Sequence, residues 1–197
     1  MEVKRGLRYA SGFIAACVVV AGCGVAGRTV SDQKSRLSMN MQEAAERADS
    51  ILDATFGAIR PEVRWTHGET TTGSCDLSRR RAVMTVISEQ RRGGFLGVVE
   101  RFWRKSGYEI TSVNTNREFP AIYARSPDGF GLRLSIAGKG QAFFEVATPC
   151  VEESDVAGPT TPANGPDYRG GPIPRPDVHD SFWSSLGGLS AGVGGTA

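Results

Sequence analysis

The stretch GFGLRLSIA, residues 129–137, alternates large apolar side chains with small or polar ones. The large side chains all fall on one side of an extended chain: Phe130, Leu132, Leu134 and Ile136. Because neighbouring side chains of a strand point to opposite faces of a sheet, this pattern predicts an antiparallel strand with one buried face and one solvated face. Turn residues lie on both sides of it, at 126–129 and 138–140.

Three further strands are predicted around this one, and together the four form an antiparallel meander. Their sequences are EITSVNT (109–115), PAIYARS (120–126) and QAFFEVATPC (141–150). Closer to the N-terminus, the threonine-rich residues 63–74 predict an exposed strand, and residues 82–88 predict a second strand that pairs with it. Cys75 would lie near the tip of this hairpin.

Two amphipathic helices complete the predicted domain. Apolar residues recur at steps of three and four over residues 37–59, and Pro61 enforces the end of this helix. The second helix, RRGGFLGVVERFWRKSGYE at 91–109, closes at Gly107. Its apolar face consists of Phe95, Leu96, Val99, Phe102 and Trp103. The order α-β-β-α-β-β-β-β predicts an α+β domain over 37–153, in which two helices pack on one face of an antiparallel sheet.

The residues after 153 are rich in glycine and proline, so 154–197 is predicted to be a disordered tail. Four apolar side chains in this tail fall at helical spacing: Phe182, Trp183, Leu186 and Leu189. They suggest a short docking motif that enters a groove on a partner or rests on a membrane. The alternative is that the tail folds back on its own domain.

The N-terminus has the features of a secretory signal peptide. Three basic residues, Lys4, Arg5 and Arg8, precede an uncharged apolar stretch at 9–22. This stretch is shorter than the roughly 20 residues that a membrane-spanning helix needs. We therefore expect residues 1–22 to be removed during export.

The end of the signal peptide, Val20-Ala21-Gly22-Cys23, resembles the lipobox of bacterial lipoproteins. The resemblance implies that the thiol of Cys23 receives a diacylglyceryl group and that a signal peptidase cuts before it. Two acyl chains give a stable anchor, and residues 23–36 would then tether the domain to the outer face of the cytoplasmic membrane. The composition also resembles that of uncharacterised lipoproteins of high-GC Gram-positive bacteria. The alternative is an ordinary signal peptide with an incidental cysteine.

Two cysteines remain besides the lipidated one and Cys17, which would leave with the signal peptide: Cys75 and Cys150. In an exported protein such a pair predicts a disulfide bond, since the compartment is oxidising. Closing a loop of this length contributes about 4–5 kcal/mol in the chain-entropy model. Two free thiols are the alternative.

Charge argues against a nucleic-acid partner. The chain has 23 basic and 21 acidic residues, and removal of the signal peptide leaves equal numbers. One arginine cluster, Arg79, Arg80 and Arg81, is interpreted as a charge guard on an edge strand or as a contact for lipid headgroups. A second cluster, Arg91 and Arg92, stands beside two glycines before the helix and could hold an anion. The alternative for this pair is a solvated turn.

The sequence presents no catalytic constellation, metal ligand set or cofactor motif. His67 and His179 are the only histidines, and the serine motif G-x-S-x-G is absent. The expected function is a non-enzymatic binding module for an unknown envelope protein or ligand. Its working surface would be the open face of the sheet, where Tyr123, Arg125 and Arg133 project. The alternative is an enzyme that acts on cell-envelope material through dispersed residues: His67, Glu69 and Asp128.

Overall fold

The computed structural model describes residues 39–168 and 171–186. It contains two helices, α1 (Met41–Gly57) and α2 (Glu89–Lys105), and a seven-stranded antiparallel sheet, which confirm the predicted α+β class. The strands are β1 (Trp65–His67), β2 (Thr71–Thr72), β3 (Leu77–Val83), β4 (Glu109–Asn114), β5 (Ala121–Arg125), β6 (Gly131–Ala137) and β7 (Gln141–Ala147). Four predicted features lie outside the described residues: the signal peptide, the lipidation of Cys23, the tether and Leu189 of the docking motif.

α1 begins at Met41 because its N-terminus is capped in both directions. The Asn40 side chain accepts a hydrogen bond from the N–H of Glu43 at 2.9 Å, and the Glu43 carboxylate accepts one from the N–H of Asn40 at 3.0 Å. The helix ends at Gly57, before the predicted stop at Pro61. Its buried face includes Ala44, Ala48, Ile51 and Leu52.

α2 begins at Glu89, two residues before the predicted start at 91, and ends at Lys105. Gly93 and Gly94 lie within the helix, so the interpretation of these glycines as a turn before the helix is wrong. Each glycine costs a helix about 1 kcal/mol relative to alanine, but burial of the apolar face outweighs this cost. The predicted stop at Gly107 is confirmed, with φ at 78°. The buried side chains of the helix are Phe95, Leu96, Val99 and Trp103.

The sheet follows the order β1-β3-β7-β6-β5-β4, with β2 pairing on β3. The predicted meander is confirmed, because β4, β5, β6 and β7 are consecutive neighbours. The register aligns Ile122, Leu134 and Phe144 on one face. On this face α1 packs over β3 and β7, and α2 packs over β4 and β5. Both helices therefore cover the same face, as predicted.

The first hairpin forms as predicted but differs in position and burial. β3 occupies 77–83 rather than 82–88, so the arginine-rich residues belong to the strand. β1 is buried rather than exposed, since Trp65, Thr66 and His67 are each at most 6% exposed. The residues that cover β1 come from the C-terminal part of the chain, which a local pattern cannot indicate.

The predicted disulfide between Cys75 and Cys150 is confirmed. It joins the turn between β2 and β3 to the end of β7, across 75 positions of sequence. Beside it, the N–H of Val151 donates to the carbonyl of Cys75 at 2.7 Å. The covalent link thus fixes the start of the C-terminal segment against the sheet.

The C-terminal segment packs on the domain, so the predicted disordered tail is wrong for residues 154–168 and 171–186. We call 154–168 the strap; it crosses β1 and contacts α1. Farther along, Trp183 is 1% exposed, packs edge-on against Phe95 and donates from Nε1 to the carbonyl of Pro61 at 2.7 Å. The alternative in which the tail folds back is therefore confirmed for Trp183.

Candidate functional site

Two buried arginines on β3 are the main polar feature of the interior. Arg79 and Arg81 face the helices and are 2% and 1% exposed. Arg79 Nε lies 3.2 Å from Asp49 Oδ2, and Arg81 Nη2 lies 2.6 Å from Asp53 Oδ1. We call these four residues the ion-pair layer. Since a buried charge is costly without an opposite charge, each arginine requires its aspartate.

The two ion pairs can form together because the spacing of the aspartates along α1 matches the spacing of the arginines along β3. Asp49 and Asp53 are four residues apart on a helix, which is a rise of about 6 Å. Arg79 and Arg81 are two residues apart on a strand, which is a rise of about 6.6 Å. Each pair can therefore form without displacing the other, and the two pairs set the position of α1 along the sheet.

Arg81 is also enclosed by aromatic rings. Its guanidinium carbon lies 4.0 Å from the ring centroid of Trp65 and 5.4 Å from that of Phe56. Burial lowers the pKa of Arg81, and the hydrogen bond and charge of Asp53 act in the opposite direction. The ring faces attract the cation, so they offset part of its desolvation.

The strap supplies further hydrogen bonds to the ion-pair layer. Arg79 Nη2 donates to the carbonyl of Ala157 at 2.6 Å. The hydroxyl of Thr161 donates to Asp53 Oδ2 at 2.8 Å, and Nε2 of His67 donates to the carbonyl of Thr161 at 2.7 Å. His67 Nε2 carries the hydrogen because a carbonyl oxygen only accepts. The layer thus holds the strap, and the strap covers the layer.

The strap also covers the outer edge of β1. The N–H of Trp65 donates to Asn164 Oδ1 at 2.9 Å, and the N–H of Gly165 donates to the carbonyl of Trp65 at 3.0 Å. A Cβ at Gly165 would lie 2.8 Å from that carbonyl oxygen, so glycine permits this close approach. At Trp65 the edge is therefore closed to another strand.

Asp49 is the more buried of the two aspartates in the ion-pair layer. Burial raises the pKa of its carboxyl, against the charges of Arg79, Arg81 and His67, which favour ionisation. Among the described residues, Asp49 Oδ1, Arg79 Nε and Arg81 Nε are buried and make no hydrogen bond. Arg79 Nε is close to Asp49 but poorly aligned with it, so this pair is held by charge more than by hydrogen-bond geometry.

The interpretation of Arg79, Arg80 and Arg81 as a surface cluster is corrected by these positions. β3 lies between β1 and β7, so it is not an edge strand that needs a charge guard. Arg79 and Arg81 are buried and paired, which removes them from contact with lipid headgroups. Arg80 alone of the three faces the open side of the sheet, where it pairs with Glu145.

Arg91 and Arg92 point to different partners and do not converge on an anion site. The glycines beside them lie inside α2, where backbone N–H groups are bonded within the helix. Arg91 stacks over the ring of Phe182 at 4.2 Å and donates to Ser185 Oγ at 3.2 Å. Arg92 donates to the carbonyl of Glu118 at 3.1 Å.

The residues of the predicted docking motif differ in their exposure. Trp183 is buried in the domain itself, whereas Phe182 is 40% exposed and Leu186 is 82% exposed. Trp183 is therefore not available to a partner while the segment stays packed. Docking through Phe182 and Leu186 stays a prediction.

The three residues suggested for an enzyme that acts on envelope material, His67, Glu69 and Asp128, do not line one cavity. His67 and Glu69 line a cavity of about 520 Å³. Asp128 lies instead in the turn between β5 and β6, where it accepts hydrogen bonds from Arg47 at 3.0 Å and from Ser126. Burial disfavours the ionised form of Asp128, but these hydrogen bonds outweigh it and lower the pKa. This carboxylate ties the turn to α1.

The open face of the sheet carries side chains that four neighbouring strands bring into one line. The register aligns Arg80, Glu145, Arg133 and Tyr123, which we call the open-face row. Glu145 accepts hydrogen bonds from Arg80 at 3.2 Å and from Arg133 at 2.5 Å. Burial opposes ionisation of Glu145, but its arginine partners outweigh it and lower the pKa. Arg125 lies on the same face, two residues along β5 from Tyr123.

Within residues 39–168 and 171–186, no three histidine, cysteine, aspartate or glutamate side chains are grouped to hold a metal ion. Neither α1 nor α2 combines the length and apolar character needed to cross a membrane.

Sequence reasoning missed the ion-pair layer, although a signal for it exists. Asp49 and Asp53 recur at helical spacing on α1, and Arg79 and Arg81 recur at strand spacing on β3. A charge repeat of helical spacing and an opposite charge repeat of strand spacing indicate that a helix and a strand pack against each other. Taken separately, each set looks like a solvated face.

The buried pair of Arg79 and Asp49 makes a prediction for stability. In the variant Arg79→Met, Asp49 loses its nearest opposite charge, so we expect unfolding free energy at neutral pH to fall by about 3–5 kcal/mol. Arg80→Met, on the open face, should cost no more than about 1 kcal/mol. Urea unfolding with the disulfide intact measures both losses.

The same pair predicts how this loss depends on pH. The pKa of Asp49 is already raised in the folded protein and rises further without Arg79, so the folded variant takes up a proton as the pH falls. The deficit of Arg79→Met relative to the unmodified protein should therefore shrink between neutral and mildly acidic pH. A deficit that stays constant with pH, or that equals the deficit of Arg80→Met, would contradict the assignment.

No protein-family model matches the chain, and no curated protein matches it. Among solved structures, the chain is similar to a DUF4853 family protein from Actinomyces odontolyticus, with 9% sequence identity and a TM-score of 0.34. The alignment covers 69% of this chain and 77% of that chain. This is a distant structural similarity, and it assigns no function to the chain.

Proposed function

We propose that this protein is a lipid-anchored binding module on the outer face of the cytoplasmic membrane, without enzymatic activity. The anchor is the diacylglyceryl group expected on Cys23, and the partner is an envelope protein or ligand rather than a nucleic acid. Two features support export. These are the lipobox-like residues 20–23 and the disulfide between Cys75 and Cys150, a bond that persists in oxidising compartments.

The observation that carries the binding function is the open-face row. Glu145 holds Arg80 and Arg133 in place, so these side chains lose less conformational freedom when a partner binds them. Tyr123 stands beside Arg133 in register and is 37% exposed. Tyrosine and arginine are enriched among the side chains that contribute most to interfaces. The row is thus a preorganised surface with the chemistry that protein partners use.

The proposed anchor on Cys23 is compatible with an accessible open face. Both helices pack on the other face of the sheet, so they do not cover the row. Residues 23–38 could span up to about 55 Å if extended. A connection with that reach allows the domain to turn its open face toward a neighbour in the envelope.

The geometry gives less support to an enzyme that acts on cell-envelope material. His67 donates to the strap, and Asp128 is bound within the β5–β6 turn. Acid–base catalysis requires such groups within hydrogen-bond reach of one substrate, and these two have separate structural partners. A binding module needs no such gathering of titratable groups.

The anchor is tested by intact mass of the protein extracted from the membranes of its own host. We expect a chain that starts at Cys23, is heavier by a diacylglyceryl group and gains the mass of two hydrogen atoms when the disulfide is reduced. The variant Cys23→Ala should not be processed at this site. An unlipidated chain cut elsewhere would make the protein freely secreted and would remove the anchor from the proposal.

The binding surface is tested by photo-crosslinking in intact cells. A photoreactive residue in place of Tyr123 should form a discrete adduct, whereas the same residue in place of Arg101, exposed on α2, should not. Arg133→Ala should reduce the Tyr123 adduct about tenfold, because one strong interface side chain contributes about 1–2 kcal/mol. Equal adducts at both positions, or no effect of Arg133→Ala, would contradict an interface on the open face.

A further inference from the structure

The two outer edges of the sheet are treated differently by the fold. The β1 edge is covered by the strap, which bonds to both backbone groups of Trp65. At the other edge, β4 pairs only with β5 among the described residues. All six residues of β4 are exposed or half-exposed. Over Ile110–Asn114 no second described strand pairs with this edge, so its backbone N–H and C=O groups can pair with an added strand.

A groove with an apolar floor runs between this open edge and α2. The α2–β4 groove has a volume of about 370 Å³, and its apolar lining residues include Leu96, Val113 and Ile122. Val113 is 49% exposed, which is unusual for a side chain on the helix-covered face. Gly93 and Gly97 place no side chains in it, and a Cβ at Gly93 would meet open space. The groove can therefore accept side chains from an added strand.

The described chain leads to the mouth of this groove. The hydroxyl of Ser88 donates to the carbonyl of Ser185 at 2.6 Å, so the chain reaches the N-terminus of α2 at this point. Leu186, the next residue, is 82% exposed. Glu89 and Gly93, in the adjoining turn of α2, line the near end of the groove. The described chain therefore ends beside the groove, at Leu186.

The chemistry of residues 187–197, GGLSAGVGGTA, suits an added strand in a shallow groove. The segment has no charge and no proline, and its side chains are small. Leu189, Ala191 and Val193 alternate with Ser190 and Gly192, which is the period of a strand with one apolar side. Extended, eleven residues reach up to about 36 Å. The groove between Gly93 and Glu100 extends about 10 Å along the helix, so the segment is long enough to follow it from end to end.

The direction of the chain also agrees with the sheet. Three residues separate the end of α2 from β4, so β4 runs back along the helix. A segment that enters at the N-terminus of α2 and follows the groove therefore runs antiparallel to β4. Every named strand pairing in the described sheet is antiparallel as well.

We propose that residues 188–194 of this chain dock in the α2–β4 groove as an antiparallel strand on β4. Leu189, Ala191 and Val193 face α2, and Ser190 and Gly192 face away from it. This strand covers the second edge of the sheet, as the strap covers the first. The inference is independent of the proposed function, since the open-face row lies on the other side of the sheet.

Hydrogen–deuterium exchange of the backbone amides in 109–114 tests the proposal. We compare the full chain, a chain that ends at Leu186, and the single variants Leu189→Asp and Ser190→Asp. In the full chain these amides should exchange at least about tenfold more slowly than in the shortened chain. Leu189→Asp should remove this protection because it places a charge against the apolar floor. Ser190→Asp, which points away from the groove, should retain it.

Amide exchange in β7 is the internal control, because its rate should be the same in the full chain, the shortened chain and both variants. Equal exchange of 109–114 in the full and shortened chains would overturn the proposal. So would equal effects of Leu189→Asp and Ser190→Asp, because the alternation of faces would then be wrong. Protection that grows with protein concentration would also overturn it, since a second copy of the chain would then be the occupant.

Discussion

Two arginines on a central strand must be neutralised inside this domain, and much of the surrounding structure follows from that requirement. Arg79 and Arg81 set the position of α1 through aspartates one helical turn apart. Arg79 and His67 also bind the strap, so a segment without regular secondary structure becomes part of the fold. The disulfide holds the start of the same segment on the sheet. The strap is thus held by hydrogen bonds to buried charged and polar side chains and by the disulfide near its start.

The result is a sheet whose faces and edges have separate roles. One face is filled by the helices and the ion-pair layer, and the other presents the open-face row, in which Glu145 fixes two arginines. The β1 edge is covered by the strap, and the β4 edge adjoins a groove. The proposed partner surface and the proposed docking site for residues 188–194 therefore do not compete for the same atoms.

The sequence predicts this structure where the signal is local. The alternation in 129–137, the meander around it and the helix stop at Gly107 follow from side-chain period and turn chemistry. Prediction from the sequence fails where a residue far along the chain determines whether a side chain is buried. Arg81 looks solvated because its aspartate is 28 positions away, and β1 looks exposed because the strap residue bound to His67 is 94 positions away. The open-face residues Tyr123 and Arg133 are predictable, since strand alternation alone places them.

The central claim is that the strap is an integral part of the folded domain. Native-state hydrogen exchange in low denaturant tests it at two amides, those of Ala157 and Gly165, which donate to Gln42 Oε1 at 2.7 Å and to the carbonyl of Trp65 at 3.0 Å. We expect both amides to exchange with the same opening free energy as the amides of β3, because the strap and the ion-pair layer unfold together. Exchange of the two strap amides through a much smaller local opening, while β3 stays protected, would contradict the account.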